Sequence, residues 1–169
     1  MSLKYIKLLY IARLYICAVY LSVSSAGGPG EGLLGVKLST RSRYGTRLML
    51  DLALHYGGGP VRIADIAQRQ DISVKYLEQI IIPLKEAKLI KSVRGPKGGH
   101  MLAKPPDKIR VDRIVKVLEG GIDLTECVGN PGICERSSYC ATRIVWKATT
   151  KAVDDKLRSI TLSDMIKAS

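Results

Sequence analysis

A chain of 169 residues is long enough for one small domain with an appended helical arm. With 46% hydrophobic and 25% charged residues it has the composition of a folded protein, which excludes a low-complexity or disordered chain. The net charge of +12 indicates an anionic partner, whereas 5% aromatic residues are too few for the stacking array of a single-strand binder.

The basic charge is unevenly distributed. Residues 37–104 carry 13 Lys+Arg and 5 Asp+Glu, a net of +8, whereas residues 105–169 carry 11 and 9, a net of +2. The surface that attracts an anionic partner is therefore expected in residues 37–104.

Residues 1–35 differ from the rest of the chain. Residues 8–23 form an apolar run interrupted by Arg13 and Cys17, and a Gly/Pro-containing linker follows. The run resembles an N-terminal anchor or a secretory signal, but it is short for a membrane span and contains an arginine. We favour a misassigned start, because a bacterial GTG codon encodes internal valine and also starts translation; the protein is then expected to begin at Val36. An anchor ranks second and a signal peptide third.

The next segments predict three helices in succession. Apolar residues recur with helical spacing over residues 42–56, and a short helix follows over residues 62–68. Residues 69–72 form a turn, and Ser73 is expected to cap the third helix through its hydroxyl. Pro83 lies within this third helix and is expected to kink it or to split off its last turn.

Two short strands and a tight turn complete the first unit. Residues 89–93 and 100–103 read as strands around a glycine-rich turn at residues 94–99. Helix, helix, turn, helix and basic hairpin make a winged helix-turn-helix, and we assign it to residues 36–106. The predicted fold class is therefore mainly α with a small β-wing.

Residues 107–169 are predicted to form a second part. A helix over residues 111–119 is followed by a cysteine loop over residues 125–140 and a long helix over residues 142–159. A last short helix begins at Thr161, where a capping sequence starts. The long helix carries an apolar stripe that needs a partner surface, so it is predicted to be a dimerisation helix in a homodimer.

Three cysteines, Cys127, Cys134 and Cys140, lie in this loop with the spacing C-x6-C-x5-C. Thiolates crowded into one loop favour a soft metal. A closed zinc site has at least one tight C-x2-4-C pair, whereas iron–sulfur clusters tolerate looser spacing and a non-cysteine fourth ligand. A disulfide is disfavoured because the loop has an odd number of cysteines and because Cys17, the fourth cysteine of the chain, lies far upstream in the sequence. An iron–sulfur cluster is the preferred prediction, and a zinc-stabilised structural DNA-binding module without sensing is the alternative.

The exposed residues of the third helix are candidate base readers, because a recognition helix enters the major groove with its N-terminal turns. Gln79 can pair with adenine, Glu78 can accept from cytosine, and Lys75 can reach guanine or phosphate. The candidate set in this helix is Ser73, Lys75, Tyr76, Glu78 and Gln79.

The wing provides a second candidate surface. Its glycines permit positive φ and leave no side chain between backbone N–H groups and phosphate; they are Gly95, Gly98 and Gly99. Basic side chains add charge or enter the minor groove. The candidate set in the wing is Arg94, Gly95, Lys97, Gly99 and His100.

Three runs carry a family resemblance: LSTRSRY at residues 38–44, ISVKYLEQ at residues 72–79 and SVRGPKGG at residues 92–99. With the cysteine loop, they closely resemble the IscR-like family of bacterial winged-helix transcription regulators over about residues 36–166. The resemblance implies a homodimer, DNA contacts at the candidate positions above, and an iron–sulfur cluster bound by the three cysteines. His100 stands where members often have tyrosine, and it can still donate to phosphate.

The chain departs from this family at the fourth ligand. In the cluster-assembly regulators a histidine three residues after the last cysteine completes the ligand set, and this chain has Arg143 there. Other members use an acidic residue from the first helix of the partner subunit, a region that here reads Arg41, Arg43 and Arg47. His55 is expected to be a surface residue, and Glu126 and Glu135 to be solvated loop charges. The cluster type, 2Fe-2S or 4Fe-4S, stays open.

Residues and resemblance together predict a cytoplasmic transcription regulator that binds a double-stranded DNA operator, acts as a repressor and senses iron–sulfur status or redox and nitrosative stress. An enzyme is not expected, because the chain has no C-x-x-C motif and no nucleotide-binding loop. No small-molecule substrate and no membrane partner are expected either.

Overall fold

Helices dominate the computed structural model, which describes residues 38–169. Within these residues the chain forms seven α-helices and one two-stranded hairpin, which confirms the predicted mainly α fold with a small β-wing. The predicted start at Val36, the interpretations of residues 1–35 and the cysteine at position 17 lie outside the described residues.

Three helices form the head of the molecule: α1 (Thr40–Leu54), α2 (Ile63–Gln70) and α3 (Val74–Glu86). Ser39 caps α1, and its hydroxyl accepts from a first-turn backbone N–H at 3.2 Å. α2 ends at Asp71, whose left-handed φ of 52° turns the chain toward α3. The predicted order of helix, helix, turn and helix is confirmed.

α3 runs unbroken through Pro83 to Glu86, so its last turn is not split off as the sequence suggested. Proline lacks an N–H and removes one intrahelical hydrogen bond. The last turn is held instead by Leu84, which is fully buried in the core. The carbonyl of Pro83 also accepts from the backbone N–H of Ala87 at 3.0 Å.

The wing is an antiparallel hairpin of β1 (Ile90–Val93) and β2 (Gly99–Leu102), in which Ile90 lies opposite Leu102 and Val93 opposite Gly99. Val61, just before α2, pairs with the other side of β2. Its backbone exchanges two hydrogen bonds with His100, at 2.9 and 2.8 Å. The wing is thereby attached to the head by backbone hydrogen bonds as well as by the chain.

The C-terminal region consists of α4 (Val111–Glu119), α5 (Glu126–Gly129), α6 (Ala141–Arg158) and α7 (Leu162–Ala168). α7 begins with a capping box, in which Thr161 and Asp164 each accept from the other's backbone N–H. These helices match the predicted ones, and α5 is an additional single turn inside the predicted cysteine loop.

One hydrophobic core joins the head to the C-terminal region. α4 packs so closely on α1 that a Cβ atom on Gly45 would lie 2.1 Å from Leu118 Cδ1. α6, in contrast, contains no buried residue. The largest fully buried side chains of the described residues are Leu48, Met49, Leu52, Ile66, Leu77, Ile80, Leu84, Ile90, Leu102, Ile109, Ile114 and Leu162.

Candidate nucleic-acid interface and cysteine loop

The N-terminal turns of α3 present three exposed polar side chains: Lys75, Glu78 and Gln79. Ser73 is exposed as well, and its hydroxyl caps the helix by accepting from the Tyr76 N–H at 3.3 Å. The predicted cap is therefore confirmed. Leu77, in the opening turns of α3, is fully buried in the core. The polar side chains therefore project from a rigid element.

Tyr76 differs from these neighbours because it is half-buried. Its ring meets the ring of Tyr44 edge-on, with centroids 5.9 Å apart and planes at 89°. Edge-to-face pairs of this kind stabilise packing. Tyr76 therefore joins α3 to α1, a packing role that the sequence did not reveal.

The tip of the wing presents Arg94, Gly95 and Lys97 to solvent. Gly95 has φ of +114°, as expected for a residue in a tight turn. Gly98 and Gly99 do not use this conformational freedom, since they are not among the positive-φ residues of the described chain. Their role is spatial, because a Cβ would lie 2.3 Å from the Val93 carbonyl oxygen at Gly98 and 2.3 Å from the Val61 carbonyl oxygen at Gly99.

His100 is half-buried on β2, and its Nδ1 atom lies 3.1 Å from the hydroxyl of Ser92 on β1. Burial lowers the pKa of His100 below its ordinary value, and the charge of Lys85 lowers it further, whereas Glu78 opposes both. The imidazole is therefore neutral at neutral pH and carries one N–H.

The turn before the recognition helix is tied to α1 by a buried carboxylate. Asp51 is 2% exposed and accepts from Arg69 Nε at 3.0 Å, Arg69 Nη2 at 2.7 Å and Gln70 Nε2 at 3.0 Å. Arg47, one turn earlier on α1, donates to the side chain of Gln70 at 3.0 Å and to its backbone carbonyl. Sequence reasoning missed this network, although a lone aspartate in the apolar run LMLDLAL was a signal for it.

All three loop cysteines are free and half-buried. The sulfur of Cys127 lies 3.3 Å from the Thr125 hydroxyl, and the sulfur of Cys140 lies 3.1 Å from the Thr142 hydroxyl. The pKa of the Cys140 thiol lies below its ordinary value, chiefly because of the Thr142 hydroxyl, with further lowering by nearby backbone N–H groups at the start of α6 and by the charge of Arg136.

Three hydrogen bonds connect the cysteine loop and Leu124, the residue just before it, to α6. The backbone N–H of Leu124 donates to the Thr150 hydroxyl at 3.4 Å. Arg143 donates from Nε to the carbonyl of Cys127 at 2.7 Å and from Nη1 to the carbonyl of Ser137 at 3.2 Å. The residue that stands in place of the family's histidine is therefore a hydrogen-bond donor to the loop backbone.

The other end of the loop leads back to the head through α4. Glu119, its last residue, accepts from the backbone N–H of Ser39 at 2.8 Å. Burial raises the pKa of Glu119, but the nearby Ser39 and Ser42 hydroxyls, the hydrogen bond from the Ser39 backbone N–H and the charge of Arg41 bring it below its ordinary value. An ionised carboxylate thus joins the end of α4 to the N-terminus of α1.

The three sulfur atoms of the loop are the kind of ligand that a soft metal prefers, and they lie within 14 residues of chain. Within residues 38–169, however, no three His, Cys, Asp or Glu side chains are close enough together to hold one metal ion. Glu126 and Glu135 are exposed, and His55 instead has its Nδ1 atom 2.8 Å from the Asp51 carbonyl oxygen.

Among the described residues, no helix is both long and apolar enough to span a membrane.

Comparisons with known proteins agree on one family. The model of the Rrf2 family, described as an iron-dependent transcriptional regulator, matches residues 38–168. The HTH-type transcriptional regulator IscR of Erwinia tasmaniensis is 39% identical over 131 residues, which cover 78% of this chain and 79% of that protein.

Two solved structures extend the likeness to the fold. IscR of T. potens is 42% identical with a TM-score of 0.67, and the match covers 81% of this chain and 90% of that one. CymR, the global cysteine regulator of B. subtilis, is 38% identical with a TM-score of 0.69, covering 80% of this chain and 99% of that one. These relatives are named as regulators, which confirms the expected resemblance, the winged-helix fold and the expectation that the protein is not an enzyme. The chain belongs to the Rrf2 family of transcriptional regulators.

Proposed function

We propose that this Rrf2-family regulator represses transcription from a double-stranded DNA operator and senses iron–sulfur status, or an oxidant that damages clusters, through its cysteine loop. The observation that carries the proposal is the position of three free thiols between α4, which packs in the core of the head, and α6. The iron-dependent description of the family and the IscR names of its relatives support a cluster rather than zinc. The site of action is the cytoplasm.

Cys127, Cys134 and Cys140 are the proposed ligands. When bound, an iron–sulfur cluster supplies a centre that oxygen, nitric oxide or iron limitation can alter. The hydroxyls of Thr125 and Thr142 lie within hydrogen-bond distance of the Cys127 and Cys140 sulfurs. The Thr142 hydroxyl lowers the pKa of the Cys140 thiol, which favours the thiolate that a metal requires. These three thiolates would hold the cluster, although their side chains do not form a three-ligand group in the described chain.

The cysteine loop is connected to the head through α4. Gly120 and Gly121 follow α4 with φ of +85° and +145°, so the segment that leads to the loop begins at a backbone conformation that favours glycine. α4 in turn contacts α1 through Gly45 and through the Glu119–Ser39 hydrogen bond. We propose that loop occupancy alters operator affinity along this route; this is a hypothesis of coupling between two sites.

The proposed DNA surface combines α3 with the wing. Lys75, Glu78 and Gln79 are exposed on the opening turns of α3, where a recognition helix meets base edges. Arg94 and Lys97 are exposed at the wing tip, where they can contact phosphate or enter the minor groove. The remaining proposed contacts are Ser73, Tyr76, Gly95, Gly99 and His100.

A homodimer formed through α6 is also part of the proposal. The helix is 18 residues long and buries none of them within the described chain. Ile144 is 71% exposed, Val145 56% and Trp146 42%. Apolar side chains exposed to this extent along one helix indicate a protein partner, and a second copy also provides the second recognition helix that a palindromic operator requires.

The test is anaerobic purification of the full chain, with iron, zinc, sulfide and visible absorbance measured together. We expect iron and sulfide in equal amounts and a brown protein. A colourless protein with stoichiometric zinc would instead support the structural alternative.

Single alanine variants of Cys127, Cys134 and Cys140 extend this test, because each supplies one thiolate. Each variant should lose the visible absorbance, whereas Cys17→Ala, which lies outside the loop, should keep it. If any of the three loop variants retains a full complement of iron and sulfide, the three-thiolate proposal fails.

A further inference from the structure

Arg143 is the residue through which α6 holds the cysteine loop. Its Nε and Nη1 atoms donate to two backbone carbonyls that are ten residues apart, those of Cys127 and Ser137, at 2.7 and 3.2 Å. The first acceptor belongs to a cysteine, and the second lies three residues before Cys140. One half-buried guanidinium therefore joins both arms of the loop to the first turn of α6.

The loop needs such a donor because its backbone is irregular. α5 is a single turn, Glu126–Gly129, and a helix that short leaves most of its carbonyls without an internal partner. The segment before Cys140 is a series of turns, in which the N–H of Ser137 bonds to the Cys134 carbonyl at 3.0 Å and the N–H of Tyr139 to the Arg136 carbonyl at 3.1 Å. Arg143 satisfies a carbonyl in each of these two segments.

The planar guanidinium suits this position. Arginine offers five N–H donors in a fixed fork and remains charged throughout the accessible pH range. Lysine has a single ammonium on a flexible stem, and histidine has at most two N–H groups on opposite sides of a ring. Neither side chain can donate to both carbonyls with the geometry of Arg143.

We infer that Arg143 is the positioning residue of the cysteine loop. Before any metal binds, it holds Cys127 and Ser137, which lies three residues before Cys140, against α6. A guanidinium has no free lone pair, so position 143 contributes no ligand. This point about the ligand rests on the proposed function. If the loop holds a cluster, the fourth ligand of that cluster comes from a residue other than Arg143. Arg143 thus differs in kind from the histidine found at this position in the relatives that the sequence resembles.

The test uses metal-free, reduced full-length protein, so it does not depend on the cluster. Amide hydrogen exchange over residues 124–140 and the rate of thiol labelling at each cysteine are compared among wild type, Arg143→Ala and Arg143→Lys. Loss of two hydrogen bonds should accelerate exchange in the loop about tenfold in both variants. Labelling of Cys127 should accelerate with it.

Lys147→Ala is the matched control, because it removes one positive charge from an exposed position one turn further along α6. It should leave exchange in the loop unchanged. The inference is overturned if the loop of Arg143→Ala exchanges like that of wild type, or if Lys147→Ala accelerates exchange as much as Arg143→Ala. It is also overturned if Arg143→Lys exchanges like wild type, since charge alone would then suffice.

Exchange in α3 reports whether the fold is intact. If Arg143→Ala unfolds, Arg143→Gln takes its place; it keeps one donor group and is expected to give an intermediate rate.

A second measurement addresses the cluster. After anaerobic reconstitution, Arg143→Ala should retain less iron and sulfide per chain than wild type, because it lacks the two hydrogen bonds that position the loop. Retention equal to that of wild type in Arg143→Ala would show that these hydrogen bonds do not position the cysteines and would overturn the assignment. If wild type itself takes up no iron and sulfide, the proposed function fails while the exchange result still decides the role of Arg143.

Discussion

Asp51 on α1 and Arg69 at the end of α2 form a two-point ion pair, in which Arg69 Nε and Nη2 donate to the two carboxylate oxygens at 3.0 and 2.7 Å. The carboxylate is 2% exposed, whereas the Arg69 side chain is 38% exposed. The pair fixes the end of α2, and therefore the turn that leads into α3, to the last turn of α1. The recognition helix is thus oriented by a charge pair in addition to its apolar contacts.

Replacing Asp51 with asparagine should destabilise the protein by about 1–3 kcal/mol, because Arg69 and Gln70 lose the negative charge of their acceptor and one of its two oxygens. Urea unfolding at neutral pH measures this loss. Asp107→Asn is the control, since Asp107 is an exposed carboxylate with Lys108 at 3.3 Å, and it should change stability by less than about 0.5 kcal/mol.

The same pair predicts a pH dependence. Burial raises the pKa of Asp51, but hydrogen bonds from Arg69 and Gln70 and the Arg69 charge lower it overall, below the ordinary value of 3.8. A carboxyl group with a lowered folded-state pKa stabilises the fold above its unfolded pKa and loses this contribution as the pH falls. The difference between wild type and Asp51→Asn should therefore be constant at neutral pH and shrink below about pH 4. A difference that does not change between pH 7 and pH 3 would contradict the assignment.

Local features of the fold were predictable from the sequence because their causes lie within a few residues. The helix predicted over residues 111–119 is found as Val111–Glu119, and the Ser73 and Thr161 caps form as expected. Apolar periodicity and hydroxyl caps act within one or two turns, so a sequence read in order contains them.

The interactions that position the site were not predictable in this way. Asp51 and Arg69 are 18 residues apart, and Arg143 and Cys127 are 16 apart. Such pairs depend on how helices pack, which a pattern along one segment does not specify. The same reason applies to Gly98 and Gly99, where the constraint comes from the carbonyls of Val93 and Val61 rather than from φ.

Gly99 gives a second prediction, on the attachment of the wing. A Cβ at this position would lie 2.3 Å from the Val61 carbonyl oxygen, which accepts from the His100 N–H at 2.8 Å. Gly99→Ala should therefore displace the wing, destabilise the protein by about 1–3 kcal/mol and weaken DNA binding. Gly58→Ala is the control, because its Cβ would meet the His55 carbonyl oxygen at an ordinary 3.4 Å. Equal unfolding midpoints for the two variants would show that the backbone contact is unimportant.

Gln79 and Lys97 separate base reading from phosphate binding. Gln79→Ala should cost about 1–3 kcal/mol on the preferred operator and relax the base preference at one position, because an exposed α3 side chain is lost. Lys97→Ala should weaken binding to all sequences and reduce its salt dependence, because a wing phosphate contact is lost. Titrations of operator and random duplexes at several salt concentrations measure both effects. If Gln79→Ala weakens binding to both duplexes equally, α3 is not the helix that reads bases.

The last prediction concerns the dimer. Val145 is 56% exposed on α6, a helix that buries no residue within the described chain. If α6 pairs with a second copy, Val145→Glu places a carboxylate in an apolar contact and leaves it without a partner, which costs several kcal/mol. The variant should therefore dissociate into 18.5 kDa monomers in light scattering. It should also lose affinity for a two-half-site operator, since each monomer then binds one half-site alone.

Ile82→Glu is the matched control for this experiment, because Ile82 lies on α3, is 58% exposed and undergoes the same change from an apolar side chain to a carboxylate. It should leave the oligomeric state of the wild type unchanged. Dissociation of Ile82→Glu, or persistence of the dimer in Val145→Glu, would assign the interface to a surface other than α6. The unfolding midpoints of both variants should stay close to each other when extrapolated to low protein concentration, because both positions are exposed in the single chain.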